Sequence, residues 1–244
     1  MSNERARAYS NCDRCGAIYV SGAKEIGIAA GDKAGVVSGL LRVPNGSKAL
    51  LVLAHGAGAG MWHKFMDAIS ERLAEQKIAT LRYQFPYMEK RIKRPDSEAV
   101  LTTTVRAAVA AAKRHGADLP LFAGGKSMGG RMTSLAAAQA PLDGVRGLVF
   151  LGFPLHAAGK PGADRGKHLA DIEAPMLFLQ GSRDPLADLE LLKPLCRGLS
   201  KRAELLVIKG GDHSFHMLKS SGRSDENVLD EVAAKAASWM EEHA

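Results

Sequence analysis

Nothing in the 244-residue sequence is long and apolar enough to cross a membrane. No run approaches the roughly 18 consecutive apolar residues that a spanning helix needs. The N-terminus, MSNERARAYSNCDRCG, is polar and has no apolar stretch of the kind a secretory signal carries. Cysteine is scarce, with three in the chain, which suits a reducing compartment. Cys12 and Cys15 form a CxxC, but no second pair at zinc-ribbon spacing follows, and the βαβ context of a redox CxxC is missing. They are read as free thiols in a polar N-terminal tail, residues 1–21. The expectation is a soluble, cytoplasmic protein with no membrane partner, no metal and no organic cofactor.

Repeats, low-complexity tracts and linkers are also lacking, so nothing marks a second domain. Hydrophobic residues make up 46% of the chain, ample for one large core. The formal charge of +7 raises the question of nucleic acid. The densest basic run is Lys90-Arg91-Ile92-Lys93-Arg94, and no zinc finger, basic zipper or RNA-binding aromatic motif accompanies it. Nucleic acid is therefore not an expected partner. The run reads as an exposed basic loop, or as one that favours an anionic substrate.

What is present is alternation. IGIAAGD and AGVVSGLLRVP read as two strands joined by a Gly-Asp turn. Six apolar runs follow: ALLVLA (49–54), IATLRY (78–83), LPLFA (119–123), VRGLVFLG (145–152), PMLFLQ (175–180) and AELLVIK (203–209). Helical patterns lie between and after them at 62–76, 97–115, 128–140, 186–199 and 225–242. Strands buried on both faces and alternating with helices predict a three-layer α/β fold. Its eight-stranded, mostly parallel sheet carries helices on both faces, over residues 22–244. Residues 155–172 are an irregular excursion too short for a large cap domain. Cys196 falls in an apolar helical pattern and reads as core. In such sheets ligands bind beyond the carboxyl ends of the strands.

At one of those ends stands LFAGGKSMGGRM, residues 121–132, which admits three readings. A phosphate-cradling loop needs a glycine where Pro120 stands, and a strand that ends before a long loop; neither condition holds. A nucleophile elbow needs small residues two before and two after the nucleophile, and Gly125 and Gly129 flank Ser127 in that way. A plain turn with Ser127 capping a helix is the third reading, and the better one if nothing else matches.

Other strand ends do match. ALLVLA ends in His55-Gly56-Ala57-Gly58-Ala59-Gly60, a small-residue loop whose backbone could approach a substrate oxygen. The candidate oxyanion donors are the N–H groups of Met128 and Ala57, with Gly58 the alternative to Ala57. PMLFLQ is followed by Gly181-Ser182-Arg183-Asp184-Pro185. Asp184 is the candidate acid and Asp188 the weaker one. AELLVIK leads into Gly210-Gly211-Asp212-His213-Ser214-Phe215-His216. His213 is preferred as the base over His216, and Asp212 reads as exposed or structural. A serine hydroxyl needs such a base, and the base an orienting carboxylate.

The order Ser127, Asp184, His213 is that of the α/β-hydrolases. Over 22–244 the sequence resembles that superfamily. More narrowly it resembles the small, cap-poor, dienelactone-hydrolase-like group, and within it bacterial relatives of the hydrolase-like subunit of the eukaryotic NSL chromatin complex. LAHGAGAGM, FPYMEKRIKRPD, GGKSMGGRM, GFPLHAAGKP, LQGSRDP and GDHSF carry the narrower match. Dienelactone hydrolases use a cysteine nucleophile, and position 127 is serine. The resemblance implies a serine esterase acting on a small-molecule acyl substrate, with a catalytically silent scaffold as the alternative. His63, Lys126 and His156 match family positions without an assigned role. Trp62, Phe85, Tyr87 and Met88 are candidates for an apolar wall.

Overall fold

The computed structural model describes the backbone of residues 9–11 and 18–20 and the whole of residues 22–116 and 118–244. Tyr9–Asn11 (β1) and Ile18–Val20 (β2) pair antiparallel in a small sheet of their own. Cys12 and Cys15 lie outside the described residues.

Eight strands form the main sheet: Ala23–Ala29 (β3), Val36–Arg42 (β4), Ala49–Ala54 (β5), Ile78–Tyr83 (β6), Leu121–Lys126 (β7), Val145–Leu151 (β8), Met176–Gly181 (β9) and Ala203–Ile208 (β10). The helices are Lys64–Glu75 (α1), Pro86–Glu89 (α2), Glu98–His115 (α3), Met128–Gln139 (α4), Leu189–Gly198 (α5) and Asp225–Glu242 (α6). Every residue of β5, β6, β7 and β9 is buried, which explains why these strands read as unbroken apolar runs. Within β5 the two faces still alternate. Leu50, Val52 and Ala54 join one core cluster, and Ala49, Leu51 and Leu53 join the other. The first cluster is roofed by α3, α4 and α5, the second by α1 and α6. Full burial of each such leucine contributes about 2 kcal/mol before entropy is counted. Phe122 of β7 meets Trp239 of α6 edge to face, with ring centroids 6.0 Å apart.

The strand order is β10-β9-β8-β7-β5-β6-β4-β3, in which β4 pairs antiparallel with both β3 and β6 and every other pairing is parallel. From β5 the chain steps outward to β6. It then crosses back to β7 on the other side of β5 and continues away through β8, β9 and β10. Connections therefore leave β5 and β7 in opposite directions, and a crevice opens between their carboxyl ends. Both ends carry loops singled out in the sequence.

Two features depart from expectation. β7 runs to Lys126 instead of stopping at Ala123, taking two glycines into the strand. α2, four residues long, occupies a stretch with no helical period to reveal it. The 155–172 excursion holds a bridge between Ala157 and Lys160 and a 3-10 helix, Asp164–Asp171, and no large cap is built from it. Among the described residues, no helix is long and apolar enough to cross a membrane. Cys196 is buried in α5, where burial pushes its thiol up to about 11, as fits a core residue.

Candidate active site

The chain leaves β7 and turns at once on Ser127, with φ 53° and ψ −119°. A non-glycine residue in that region costs of order 1–3 kcal/mol and persists only where its surroundings hold it. Here the Ser127 N–H donates to Leu151 O at 3.1 Å, and the Arg131 N–H to Ser127 O at 3.1 Å. The flanking glycines are sterically required. A Cβ on Gly125 or on Gly129 would lie 2.5 Å from Ala54 O at the end of β5. Ser127 makes no capping bond to α4, so the plain helix-cap reading does not hold. The strand's continuation to Lys126 leaves no loop for a phosphate cradle.

The hydroxyl has a different partner. Ser127 Oγ lies 2.8 Å from His213 Nε2, and His213 Nδ1 lies 2.7 Å from Asp184 Oδ2. Because a carboxylate only accepts, Nδ1 carries the proton and Nε2 is left to accept from the hydroxyl. The Asp184 side chain is fully buried. Its burial is compensated by the Leu186 N–H at 2.8 Å and by Gln180 Nε2 at 2.5 Å. Gln180 is itself oriented, its Oε1 accepting from the Phe153 N–H at 2.9 Å. Sequence reasoning gave Gln180 no role. Its place in LQGSRDP, four residues before the acid, was the available signal.

The rejected candidates have other work. Asp188 caps α5, accepting from the Glu190 N–H at 2.8 Å. Exposed His216 pairs with Asp225 at 2.5 Å, at the start of α6. Asp212 accepts from the Ser214 and His216 N–H groups and so shapes the His213 loop. His156 is buried: its Nδ1–H donates to Ala157 O, and its Nε2 accepts from the Asp188 N–H. That use ties the excursion to the loop after β9.

On the other side of the crevice, the loop after β5 is fixed by His55. Its Nδ1–H donates to Gly56 O at 2.7 Å, and its Nε2 accepts from the Phe85 N–H at 3.1 Å. Burial drives this imidazole down to about 4, so it stands neutral between its two partners. The Gly58 N–H donates to Tyr87 Oη at 3.0 Å. That bond occupies the alternative oxyanion donor. Among the described residues, the Ala57 and Met128 N–H groups have no acceptor. Gly56 lies close to Ser127, an added Cβ there falling 3.7 Å from Ser127 Cβ. Met128 opens α4, whose positive dipole end favours developing negative charge nearby.

The remaining residues divide between core and rim. Phe85 and Tyr87 are buried in the core, while Trp62 and Met88 are half-buried. His63 caps α1 by accepting from the Phe65 N–H, and partial burial followed by the charges of Lys64 and Lys126 lowers its pKa. Lys90, Arg91, Lys93 and Arg94 are exposed just beyond α2, the element that brings Tyr87 to Gly58. Among the described residues, no group of three or more His, Cys, Asp or Glu side chains is placed to hold a metal ion.

Residues 47–241 match the family model described as Alpha/beta hydrolase domain. The chain belongs to the alpha/beta hydrolase family. Among solved structures, this chain resembles a dienelactone hydrolase from Anabaena variabilis, with a TM-score of 0.70 and 22% identity over 91% of this chain and 98% of that one. It also resembles an alpha-beta serine hydrolase homologue from Coxiella burnetii, with a TM-score of 0.70 and 20% identity over 89% and 99%. At such identities the likeness establishes the fold. Among curated proteins, the chain is 28% identical over 211 residues to Mycobacterium tuberculosis proteins provisionally named phosphoribosyl transferases. The match takes in 85% of this chain and 44% of theirs, so the chain spans less than half the length of those relatives.

Proposed function

We propose that the protein is a serine hydrolase that cleaves an ester or similarly activated acyl bond through a covalent acyl-enzyme. Ser127 Oγ attacks the acyl carbon while His213 Nε2 takes its proton. Asp184 holds the imidazole in the Nδ1–H form and stabilises the imidazolium. The Ala57 and Met128 N–H groups receive the oxyanion, and His213 returns its proton to the leaving alcohol. Water, activated by the same imidazole, then releases the acid. The observation that carries this reading is the unbroken chain from Ser127 Oγ through His213 to Asp184, at 2.8 and 2.7 Å. The strained backbone of Ser127, φ 53° with ψ −119°, supports it, because an ordinary left-handed turn residue has ψ of about +47°.

The proposed substrate is a small or exposed acyl group, in keeping with the open site, and an anionic one in keeping with Lys90, Arg91, Lys93 and Arg94. The name of the mycobacterial relatives is not carried over, because more than half of each lies outside the match.

The test is covalent labelling by a fluorophosphonate probe. Folded wild-type protein is expected to label at Ser127 and Ser127→Ala not at all. Equal labelling of both, or none of the wild type, refutes the assignment and leaves a catalytically silent scaffold. Loss of one oxyanion donor costs on the order of 100–1,000-fold in turnover in enzymes of this chemistry.

A further inference from the structure

The residue before the nucleophile is a buried lysine for which the proposed mechanism has no use. Lys126 ends β7, and its ammonium donates to the backbone carbonyl of His213 at 2.6 Å. The ammonium also sits 5.6 Å from the centroid of the Phe65 ring, on α1. Gly152, after β8, leaves it room: a Cβ there would lie 3.1 Å from Nζ and 3.0 Å from His213 O. Among the described residues, no carboxylate forms an ion pair with it. An ammonium buried against a single carbonyl and a ring is an expensive way to satisfy that carbonyl. Its direction is informative, since it joins the strand bearing the nucleophile to the loop bearing the base.

We infer that Lys126 is a positioning residue: its charged bond to His213 O locks the Gly210–His216 loop against the elbow so that the imidazole reaches Ser127 Oγ. This inference rests on the serine-hydrolase reading. A charge-assisted bond is roughly twice as strong as a neutral one, so the lock depends on the proton that Nζ carries. Four titratable groups face it: Asp184 after β9, Asp212 and His213 after β10, and His63 before α1. Burial outweighs the pull of Asp184 and Asp212 and lowers the ammonium to about 8. The lock therefore weakens as pH rises through that value.

The experiment measures the rate of Ser127 phosphonylation by a fluorophosphonate from pH 6 to 10, with Ser127→Ala as background. Folding is checked by circular dichroism. Wild-type rates are expected to fall as pH rises through about 8. Lys126→Met is expected to label on the order of 100-fold more slowly at pH 7, the scale of loss from a misplacement of about 1 Å, and to show no alkaline fall. Lys126→Arg, which keeps its charge to higher pH, is expected to recover part of the rate and to lack the fall. Folded Lys126→Met that labels at the wild-type rate overturns the inference alone. So does a wild-type rate that stays flat from pH 7 to 10, a result that decides the matter even where neither variant folds. Folded wild type that does not label overturns the hydrolase reading and this inference with it.

Discussion

At the scale of single residues, environment separates two histidines that both stand in loops after strands. His55 stands directly after β5 and before Gly56, and His213 stands five residues after β10, past Gly210 and Gly211. His55 spends both nitrogens on the backbone, whereas His213 spends one on a carboxylate and one on a hydroxyl. Chain order made His213 legible. The role of His55 was not, because sequence does not say that the Phe85 N–H arrives 3.1 Å from its ring. The neutral state of His55 has a measurable consequence. Its folded pKa, about 4, lies below the ordinary 6.5, so between these values the unfolded chain binds a proton that the native one does not. Stability is therefore expected to fall as pH drops from 6.5 towards 4, with His168, also lowered to about 4, adding to the slope. Urea midpoints measured across that window check this. His55→Ala, which strands a buried N–H and a buried carbonyl, is expected to cost about 2–4 kcal/mol at pH 7.

Among the elements, β7 and α2 show where reading by pattern stops. Two glycines argue against a strand by propensity, yet Gly124 and Gly125 lie in β7. They are there because neighbouring backbone comes too close for a side chain: a Cβ on Gly124 would sit 1.9 Å from Val149 O. Packing across the sheet overrode local preference, and no local window contains that information. α2 is a single turn, too short for periodicity, and its contribution to the loop after β5 is one hydroxyl. Tyr87→Phe deletes the acceptor of the Gly58 N–H while leaving the ring in the core. The expected result is a loss of about 1 kcal/mol in stability and a fall of roughly fivefold in phosphonylation rate, as the loop after β5 loosens. Thermal unfolding together with the labelling assay measures both; an unchanged rate would show that this bond does not set the loop.

For the whole molecule, the sheet order brings together groups separated by more than 80 residues in sequence, such as Ser127 and His213. The eight strands, their alternation with helices and the order of the three polar groups were readable because burial and chain order leave one-dimensional traces. Pairing distances and the partners of buried polar atoms leave none. The modest 155–172 excursion leads to an expectation about substrate size. Among p-nitrophenyl esters, short acyl chains are expected to turn over faster than long ones, and a preference for long chains in a chain-length series would contradict an uncapped site.

His213 hangs from one edge of this sheet. β10 pairs with β9 alone, and all of its residues but Ile208 are half-buried or exposed, whereas every residue of β7 is buried. Ser127 and His213 therefore belong to units of unequal local stability, and an edge strand can open without the core following. Amides of 203–208 are expected to exchange with deuterium well before those of 121–126. In rising urea, loss of labelling is expected to precede loss of circular dichroism. Activity in this protein would then report on the fraying of one margin, silent while most of the molecule is still folded.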